Sequence, residues 1–237
     1  MRLPRPVSSF PTPFAVALVV MLSVGTAIHW YTDSGTEAPS AADQATVAQS
    51  LEHLTTVPRR THVLGYSREQ FGGWSQQWWT EPGGGPEEQS GAQCTTRTVV
   101  MLQVFPDRSR ADDGSCPSAL GNITDVYTGD QIVPSDVEID HVVPLSAGWD
   151  HGAWAWPRAV RVAFANDLEL NLLAVAGTVN QAKSDGSLGE WLPPTAKAGS
   201  PSEAGCAYAA RYLAVCLRYQ LTVSNADGET ARRACGV

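Results

Sequence analysis

The chain has few basic residues. Its 237 residues include 16 lysines and arginines against 24 aspartates and glutamates, which gives a formal net charge of −8. If Arg2 and Arg5 were removed with an export signal, 14 basic residues would face the 24 acids and the net charge would be −10. This balance excludes the broad basic surface of a tight, non-specific nucleic-acid binder. A nucleic-acid ligand would need a metal or a local group of cations, so we expect modest, salt-sensitive affinity.

Several motifs are also missing. The five cysteines show no Cys-x-x-Cys spacing, which disfavours a zinc site. No Gly-x-Ser-x-Gly segment is present, so a serine hydrolase built on a nucleophile elbow has little support. No internal repeat is visible. About 200 residues follow the N-terminal apolar segment, which is enough for one sizeable core and too few for two ordinary domains.

The N-terminus has the pattern of an export segment. Arg2 and Arg5 precede an apolar run over residues 14–24, and small residues follow at 25–27, where a signal peptidase would cut. Extended to Tyr31, the run has about 18 residues, near the lower limit for a membrane span. We therefore predict a signal peptide or N-terminal membrane anchor over residues 1–30. The protein would be secreted or extracytoplasmic, with membrane attachment through this segment as the alternative.

The rest of the chain divides by composition. Residues 31–60 are rich in alanine, serine, threonine and proline, which predicts a flexible linker with at most a short helix around 42–54. Residues 61–237 form the predicted folded domain. Near its C-terminus, one amphipathic helix is expected to start at a cap formed by Ser200, and a second short helix is expected after Ser224.

The predicted export makes disulfides the expected state of the cysteines. Cys94 and Cys116 bracket a candidate hairpin, whereas Cys206 and Cys235 bracket the C-terminal helices. These are the preferred pairs. Cys216 is then left over in an apolar helical stretch, where a buried thiol is expected.

An acid and a histidine adjoin in the apolar stretch 137–143, at Asp140 and His141. Strand alternation sends neighbouring side chains to opposite faces, so both can serve one site only if the strand ends or bulges there. Pro144 supplies such an end. A neutral imidazole can take a proton from water at neutral pH, so His141 is the candidate general base.

A second polar group follows a predicted returning strand over residues 168–175. Asn180 and Lys183 share a face of the short helix or turn that comes next. Asp140 and Asn180 offer hard oxygens that suit Mg²⁺, with Mn²⁺ as the alternative, and the ion would neutralise charge on a scissile phosphate. Lys183 would either add a point charge to that phosphate or form a solvated helix start. Asn171 is better placed to tie the loop between the strands than to touch metal.

Four motifs, Asp-His-Val-Val-Pro-Leu, Asn-Leu-Leu-Ala-Val, Asn-Gln-x-Lys-Ser-Asp and Glu-Trp-Leu-Pro-Pro, resemble those of secreted HNH endonuclease family proteins of actinobacteria. Their core belongs with the C-terminal nuclease domain of GmrSD-type restriction enzymes, and the resemblance covers roughly residues 63–235. It implies an α+β fold with a ββα-metal (HNH, or His-Me finger) core, surrounding helices and stabilising disulfides. It also implies Asp140 and Asn180 as metal ligands, His141 as base and Asn171 as loop support.

The chain departs from the family pattern at two places. Asn180 stands where HNH sequences end in histidine, a variant that the family itself uses. Residues 94–98 are Cys-Thr-Thr-Arg-Thr where relatives often have Cys-Asp-Thr-Arg-Asn, and this change keeps Arg97. Arg97 would either hold a carboxylate or contact a phosphate. We include it with Lys183 as a candidate substrate-binding residue.

Together the patterns predict a secreted endonuclease that hydrolyses phosphodiester bonds with one divalent metal. Its partner would be nucleic acid, with DNA favoured over RNA and no obligate protein partner implied. One alternative is a non-catalytic secreted or cell-envelope binding protein that keeps the HNH frame, which would suit the acidic balance and the altered residues 94–98. Another is a different secreted hydrolase, which would need a nucleophile beside Asp140 and His141.

Overall fold

The computed structural model describes residues 38–80, 91–109, 114–196 and 199–237. The predicted signal peptide or membrane anchor over residues 1–30 lies outside these ranges and stays a prediction. Within the described part of the chain, no helix is both long enough and apolar enough to span a bilayer.

Short strands alternate with helices along the described chain, so the α+β class is confirmed. The helices are α1 (Ala41–His53), α2 (Thr96–Val104), α3 (Leu145–Asp150), α4 (Arg158–Ala165), α5 (Gly177–Lys183), α6 (Glu203–Arg218) and α7 (Asn225–Cys235). The strands are β1 (Thr56–Val57), β2 (Gln76–Trp79), β3 (Ala92–Thr95), β4 (Asp107–Arg108), β5 (Ala119–Leu120), β6 (Ile123–Thr124), β7 (Gln131–Ile132), β8 (Val137–His141), β9 (Leu172–Ala176) and β10 (Val223–Ser224). Short 3₁₀ turns lie at Arg68–Phe71, Pro134–Asp136 and Ala153–Ala155. The described strands pair two by two, and they form four antiparallel pairs and one parallel pair, β1 with β10, rather than one large sheet.

The hairpin of β8 and β9 carries the predicted site residues. The two strands pair antiparallel, from Val137 opposite Ala176 to His141 opposite Leu172. α3 and α4 lie in the connection between the strands, and α5 follows β9 without a loop. β9 starts later than predicted because the carboxylate of Asp167 accepts hydrogen bonds from the next backbone amides and holds them in a turn. β8 and α5, which directly follows the partner strand of β8, therefore carry the predicted site residues.

The two faces of β8 differ in character. Val137 and Ile139 join an apolar cluster with residues of α2. Glu138 and Asp140 alternate with them and bond to side chains of α5. By the same alternation, His141 shares the face of Ile139.

Two disulfides tie the domain together, and both predicted pairs are confirmed. Cys94 in β3 is bonded to Cys116, and Cys206 in α6 is bonded to Cys235 at the end of α7. Cys216 is free and buried, as expected. The second bridge lies within the main apolar core, where α1, α6 and α7 pack against one another.

The prediction of a flexible linker over residues 31–60 is wrong for its helical part. α1 packs against α6 and α7, and Val47 is fully buried in the main core. Gln44 Nε2 also donates to the carbonyl oxygen of Cys235 at 2.8 Å. The short helix anticipated near 42–54 therefore exists and belongs to the folded domain, because its apolar side finds a partner that composition alone does not reveal.

Candidate functional site

His141, the last residue of β8, is 7% exposed. Its ring stacks on the Trp74 indole with 1° between the planes and 5.6 Å between the centroids. Nε2 lies 2.9 Å from the carbonyl oxygen of Ala165. Since a carbonyl only accepts, Nε2 must carry a proton and donate, which leaves Nδ1 as the acceptor. Burial lowers the pKa of His141 to about 4, so the imidazole is neutral at pH 7.

A cavity of about 300 Å³ brings the predicted site residues together. Asp140, His141 and Asn180 all line it, and Ser146 and Asp185 add further oxygen atoms. Asp140 and His141 both line this cavity, and β8 ends at His141. Neighbouring residues on opposite faces of a strand can serve one site where the strand ends.

Asp140 is buried and hydrogen-bonded to two side chains. The Tyr127 hydroxyl donates to Oδ2 at 2.6 Å, and Lys183 Nζ donates to Oδ1 and Oδ2 at 2.7 and 2.9 Å. Burial raises the pKa of Asp140, whereas the ammonium group of Lys183 lowers it. The carboxylate is therefore oriented by two neighbours before any substrate arrives.

Lys183 is not placed to contact a substrate phosphate, contrary to the prediction. Its side chain is buried, and Nζ donates to the carbonyl oxygen of His141 at 2.7 Å as well as to Asp140. An ammonium group has three protons, and these acceptors take them. The spacing correctly put Lys183 on one face of a helix, but it could not show that this face meets β8. Lys183 fastens α5 to the end of β8.

Asn180 lies on the same face of α5, one turn earlier. Its Nδ2 donates to Glu138 at 2.8 Å, and Gln181 Nε2 donates to the same carboxylate at 2.8 Å. These hydrogen bonds, that of Gln181 first, lower the pKa of Glu138. Among the described residues, no donor bonds to the Asn180 Oδ1. The amide carbonyl is thus the end of this side chain that can bind a ligand.

Asn171 bridges the loop that joins β8 to the helices after it. Its Oδ1 accepts from the backbone amide of Val143 at 2.9 Å, and its Nδ2 donates to the carbonyl oxygen of Phe164 at 3.1 Å. The backbone oxygen of Asn171 accepts from the amide of Val142. The side chain is fully buried, so it acts on the loop rather than on a ligand.

Comparison with known proteins shows the family. Residues 97–230, more than half of the chain, match the family described as GmrSD restriction endonucleases, C-terminal domain. The chain belongs to this family. It is also 35% identical over 192 residues to an "Uncharacterized secreted protein" of the fungus Arthroderma benhamiae, covering 80% of this chain and 83% of that protein. No solved structure was found to match the chain.

Arg68 and Tyr66, which sequence patterns did not single out, also line the cavity of this GmrSD C-terminal-type domain. Both side chains are exposed, and Arg68 also borders a second cavity of about 70 Å³ beside His141 and Trp74. They lie before the stretch that matches the family. No motif connects them to Asp140, so tertiary packing alone brings them to the site.

Arg60 was likewise missed. Its guanidinium donates to Asp150 at 2.8 Å, to Asp185 at 3.2 Å and to Glu190 at 3.1 Å. Although burial opposes its charge, the hydrogen bond and the charge of Asp150 leave the pKa of Arg60 raised. This residue joins the segment before the first 3₁₀ turn to α3 and to the chain just after α5.

Arg97 does not reach the cavity. It lies in the first turn of α2, and its guanidinium donates to the backbone oxygen of Val137 at 3.2 Å. It is near enough to Glu138 to lower the pKa of that carboxyl. A substrate contact of Arg97 at the cavity that holds His141 is therefore not supported.

The chemistry of the donor set suits a hard divalent cation. Asp140 and Asn180 present a carboxylate and an amide carbonyl to one cavity, and Mg²⁺ commonly takes one or two such ligands while it keeps several waters. Two carboxylate oxygens offer about four acceptor positions, and three hydrogen bonds occupy Asp140. Within the described residues, no group of three or more His, Cys, Asp or Glu side chains is placed so that it could hold a metal ion. A cation here would depend on Asp140, Asn180 and water.

Proposed function

We propose that the protein is a secreted, metal-dependent endonuclease that hydrolyses phosphodiester bonds with His141 as general base. Membership of the GmrSD C-terminal domain family gives it a nuclease-like domain. The observation that carries the proposal is the pairing of His141 Nε2 with the Ala165 carbonyl, which fixes a neutral imidazole at the cavity with Nδ1 ready to accept a proton.

In the proposed mechanism, Nδ1 of His141 takes a proton from a water molecule, and the water oxygen attacks the phosphorus. The bond to the leaving sugar oxygen then breaks, and that oxygen takes a proton from solvent. Asp140 and Asn180 would hold a divalent ion, preferably Mg²⁺ and alternatively Mn²⁺, which supplies positive charge to the phosphate and the leaving oxygen. Lys183 keeps the Asp140 carboxylate in place, and Trp74 and Ala165 keep the His141 ring in place.

The arrangement of β8, β9 and α5 supports the assignment to a ββα-metal core, because the base ends the first strand and Asn180 lies on the helix. Secretion is supported by the disulfides, by the N-terminal pattern and by the printed name of the fungal relative. We favour DNA over RNA as the substrate.

A non-catalytic binding protein on the same frame is the second candidate. The observation in its favour is that Lys183 already neutralises Asp140 in the described structure, so a cation must share this carboxylate with an ammonium group. Metal-dependent turnover separates the two candidates.

The proposal predicts that purified protein cleaves plasmid DNA in Mg²⁺ or Mn²⁺ and that a chelator stops cleavage. His141→Ala should reduce the rate by about 100-fold or more, because a positioned base contributes roughly 10²–10⁴-fold. His141→Gln should be equally inactive while keeping a donor for the Ala165 carbonyl. RNA serves as the parallel substrate.

The matched control is His53→Ala, which removes an exposed histidine of α1 far along the chain from the site. Circular dichroism melts establish that each variant is folded. Wild-type cleavage rates in a folded His141→Gln protein would remove His141 from the mechanism. Absence of cleavage in every metal, with DNA and RNA alike, would favour the binding protein.

A further inference from the structure

One rim of the cavity comes from the segment just before the family match. Tyr66 and Arg68 belong to it, and both line the cavity that holds His141. Neither residue has a part in the proposed hydrolysis. Their chemistry, a phenol ring and a guanidinium side by side, is suited to contacts with a base and a phosphate.

Arg68 is the one cation among the described residues that line this cavity. It is exposed and makes no hydrogen bond or ion pair with the described residues, whereas Arg60 and Lys183 are held by carboxylates. Its positive charge acts on the neighbouring phenol, since it lowers the pKa of Tyr66 against the larger effect of burial, which raises it. A guanidinium that no acceptor occupies can bind a phosphate through two parallel hydrogen bonds.

Tyr66 is held in position yet remains 41% exposed. Its ring meets Phe71 at a centroid distance of 6.2 Å in a tilted arrangement and Trp149 at 6.3 Å edge-to-face, so these rings pack on Tyr66 without stacking on it. Gln70 Nε2 donates to the carbonyl oxygen of Gly65 at 2.6 Å and closes the turn in front of Tyr66. The ring is therefore preorganised for a stacking partner from outside.

The same region is poor in further cations and carries acids. Asp185 lines the cavity, and its side chain is 60% exposed. Glu190, which like Asp185 forms an ion pair with Arg60, has a side chain that is 54% exposed. A duplex presents two charged backbones and buries the faces of its bases. A single strand has one backbone, and its bases can turn outward to stack on an aromatic ring.

We propose that Arg68 and Tyr66 form a subsite for an unpaired nucleotide, with the phosphate on Arg68 and the base on Tyr66. The substrate class is then single-stranded nucleic acid rather than duplex. This inference deepens the proposed function and rests on it for the cleavage step. The shared chemistry of phosphate and base is present in DNA and RNA, so the two are separate arms of the test.

The test measures binding in a chelator, so that it does not depend on turnover. Fluorescence anisotropy with the full protein compares a labelled single-stranded DNA 12-mer, the RNA of the same sequence and the DNA duplex over a range of salt. We expect a single strand to bind at least about 10-fold more tightly than the duplex. One or two phosphate contacts predict a shallow salt dependence, in which the logarithm of the association constant falls with the logarithm of the salt concentration with a slope of about −0.7 to −1.4.

Four variants separate the two contacts. Tyr66→Ala should weaken single-strand binding by about 5-fold or more, the lower end of what loss of a base stack costs, and Tyr66→Phe should keep it. Arg68→Gln should weaken binding and flatten the salt dependence, and Arg68→Lys should restore part of both. Arg158→Gln is the control, because Arg158 is exposed and borders neither cavity.

Duplex binding or cleavage as strong as that of either single strand would overturn the inference. So would wild-type affinity in Tyr66→Ala and Arg68→Gln. Single-strand binding that both substitutions weaken, without cleavage in any metal, would support the subsite and reject the proposed endonuclease. Absence of binding to all three nucleic acids in the chelator would reject the subsite, and cleavage in Mg²⁺ or Mn²⁺ would then decide the proposed endonuclease separately.

Discussion

At the scale of single residues, two neighbours determine what His141 can do. The Ala165 carbonyl fixes the tautomer by accepting from Nε2, and the Trp74 ring covers one face of the imidazole. Burial then keeps the ring neutral, because charging it would cost desolvation. Ala165 is the last residue of α4, the helix that lies between β8 and β9 in the chain. The position of this helix therefore determines which ring nitrogen of His141 carries the proton.

Lys183 allows the sharpest prediction at this scale. If it fastens Asp140 as a buried partner, Lys183→Met should lower the free energy of unfolding by about 3–5 kcal/mol, since it leaves a buried carboxylate without its cation. A solvated lysine at a helix start would change it by less than about 0.5 kcal/mol. Urea denaturation measures the difference.

Three further variants make the result specific to the ion pair. Arg158→Met removes an exposed cation from α4 and should leave the unfolding free energy nearly unchanged. Asp140→Asn alone removes the other charge of the pair, and the double variant Asp140→Asn with Lys183→Met removes both charges and should recover part of the loss. Additive effects of the two single substitutions would contradict coupling between Asp140 and Lys183.

At the scale of elements, local sequence signals predict where a helix begins better than they predict which other helices it packs against. α7 begins after Ser224 as predicted, because its capping box is complete within four residues. α6 is capped by Ser202 rather than Ser200, since Ser202 Oγ is the group that accepts from the amide of Gly205. The role of α1 escaped prediction because its burial depends on helices more than 150 residues later.

Because α1 belongs to the core, changing its buried residue should destabilise the whole domain. Val47→Ala removes two methyl groups from a fully buried side chain and should cost about 2 kcal/mol of unfolding free energy. Gln49→Ala, on the exposed side of the same helix, is the matched control. Thermal or urea unfolding measures the stability of both variants. If Val47→Ala were as stable as Gln49→Ala, α1 would not be part of the core and residues 41–53 would be a linker.

At the scale of the whole molecule, the predictable and unpredictable parts of the site have different origins. Asp140, His141 and Asn180 came from motifs, because two strands and the helix that follows lie close together whenever the hairpin forms. Tyr66 and Arg68 belong to a different segment. The ion pair of Arg60 with Asp150 and the packing of Phe71 on Phe164 hold this segment beside the cavity. Such contacts leave no periodicity or spacing in the sequence.

A buried polar cluster joins the end of α3 to β10 and α7. His151, the residue that follows α3, is buried, with Nδ1 3.0 Å from Thr222 Oγ1. Its Nε2 has no hydrogen-bond partner in the described structure and lies 4.0 Å from Asp227 Oδ2. Asp227 is meanwhile satisfied by Ser187, by the amide of Gly189 and by the Ser224 cap. Asp227 therefore has its hydrogen bonds from groups other than the His151 ring, which is compatible with a neutral imidazole.

This cluster predicts how stability depends on pH. Burial lowers the pKa of His151 below 6.5, although the charges of Asp227, Asp150 and Glu190 oppose this effect and that of Arg60 adds to it. As pH falls through 6.5, His151 in the unfolded chain binds a proton and His151 in the folded chain does not, so the unfolding free energy must fall with it. Each pH unit between the two pKa values corresponds to about 1.4 kcal/mol. His151→Gln should remove the part of this dependence that His151 contributes below pH 6.5 in urea titrations, while exposed His53→Gln should not. Equal slopes for His151→Gln and the wild type would show that the fold does not lower the pKa of His151.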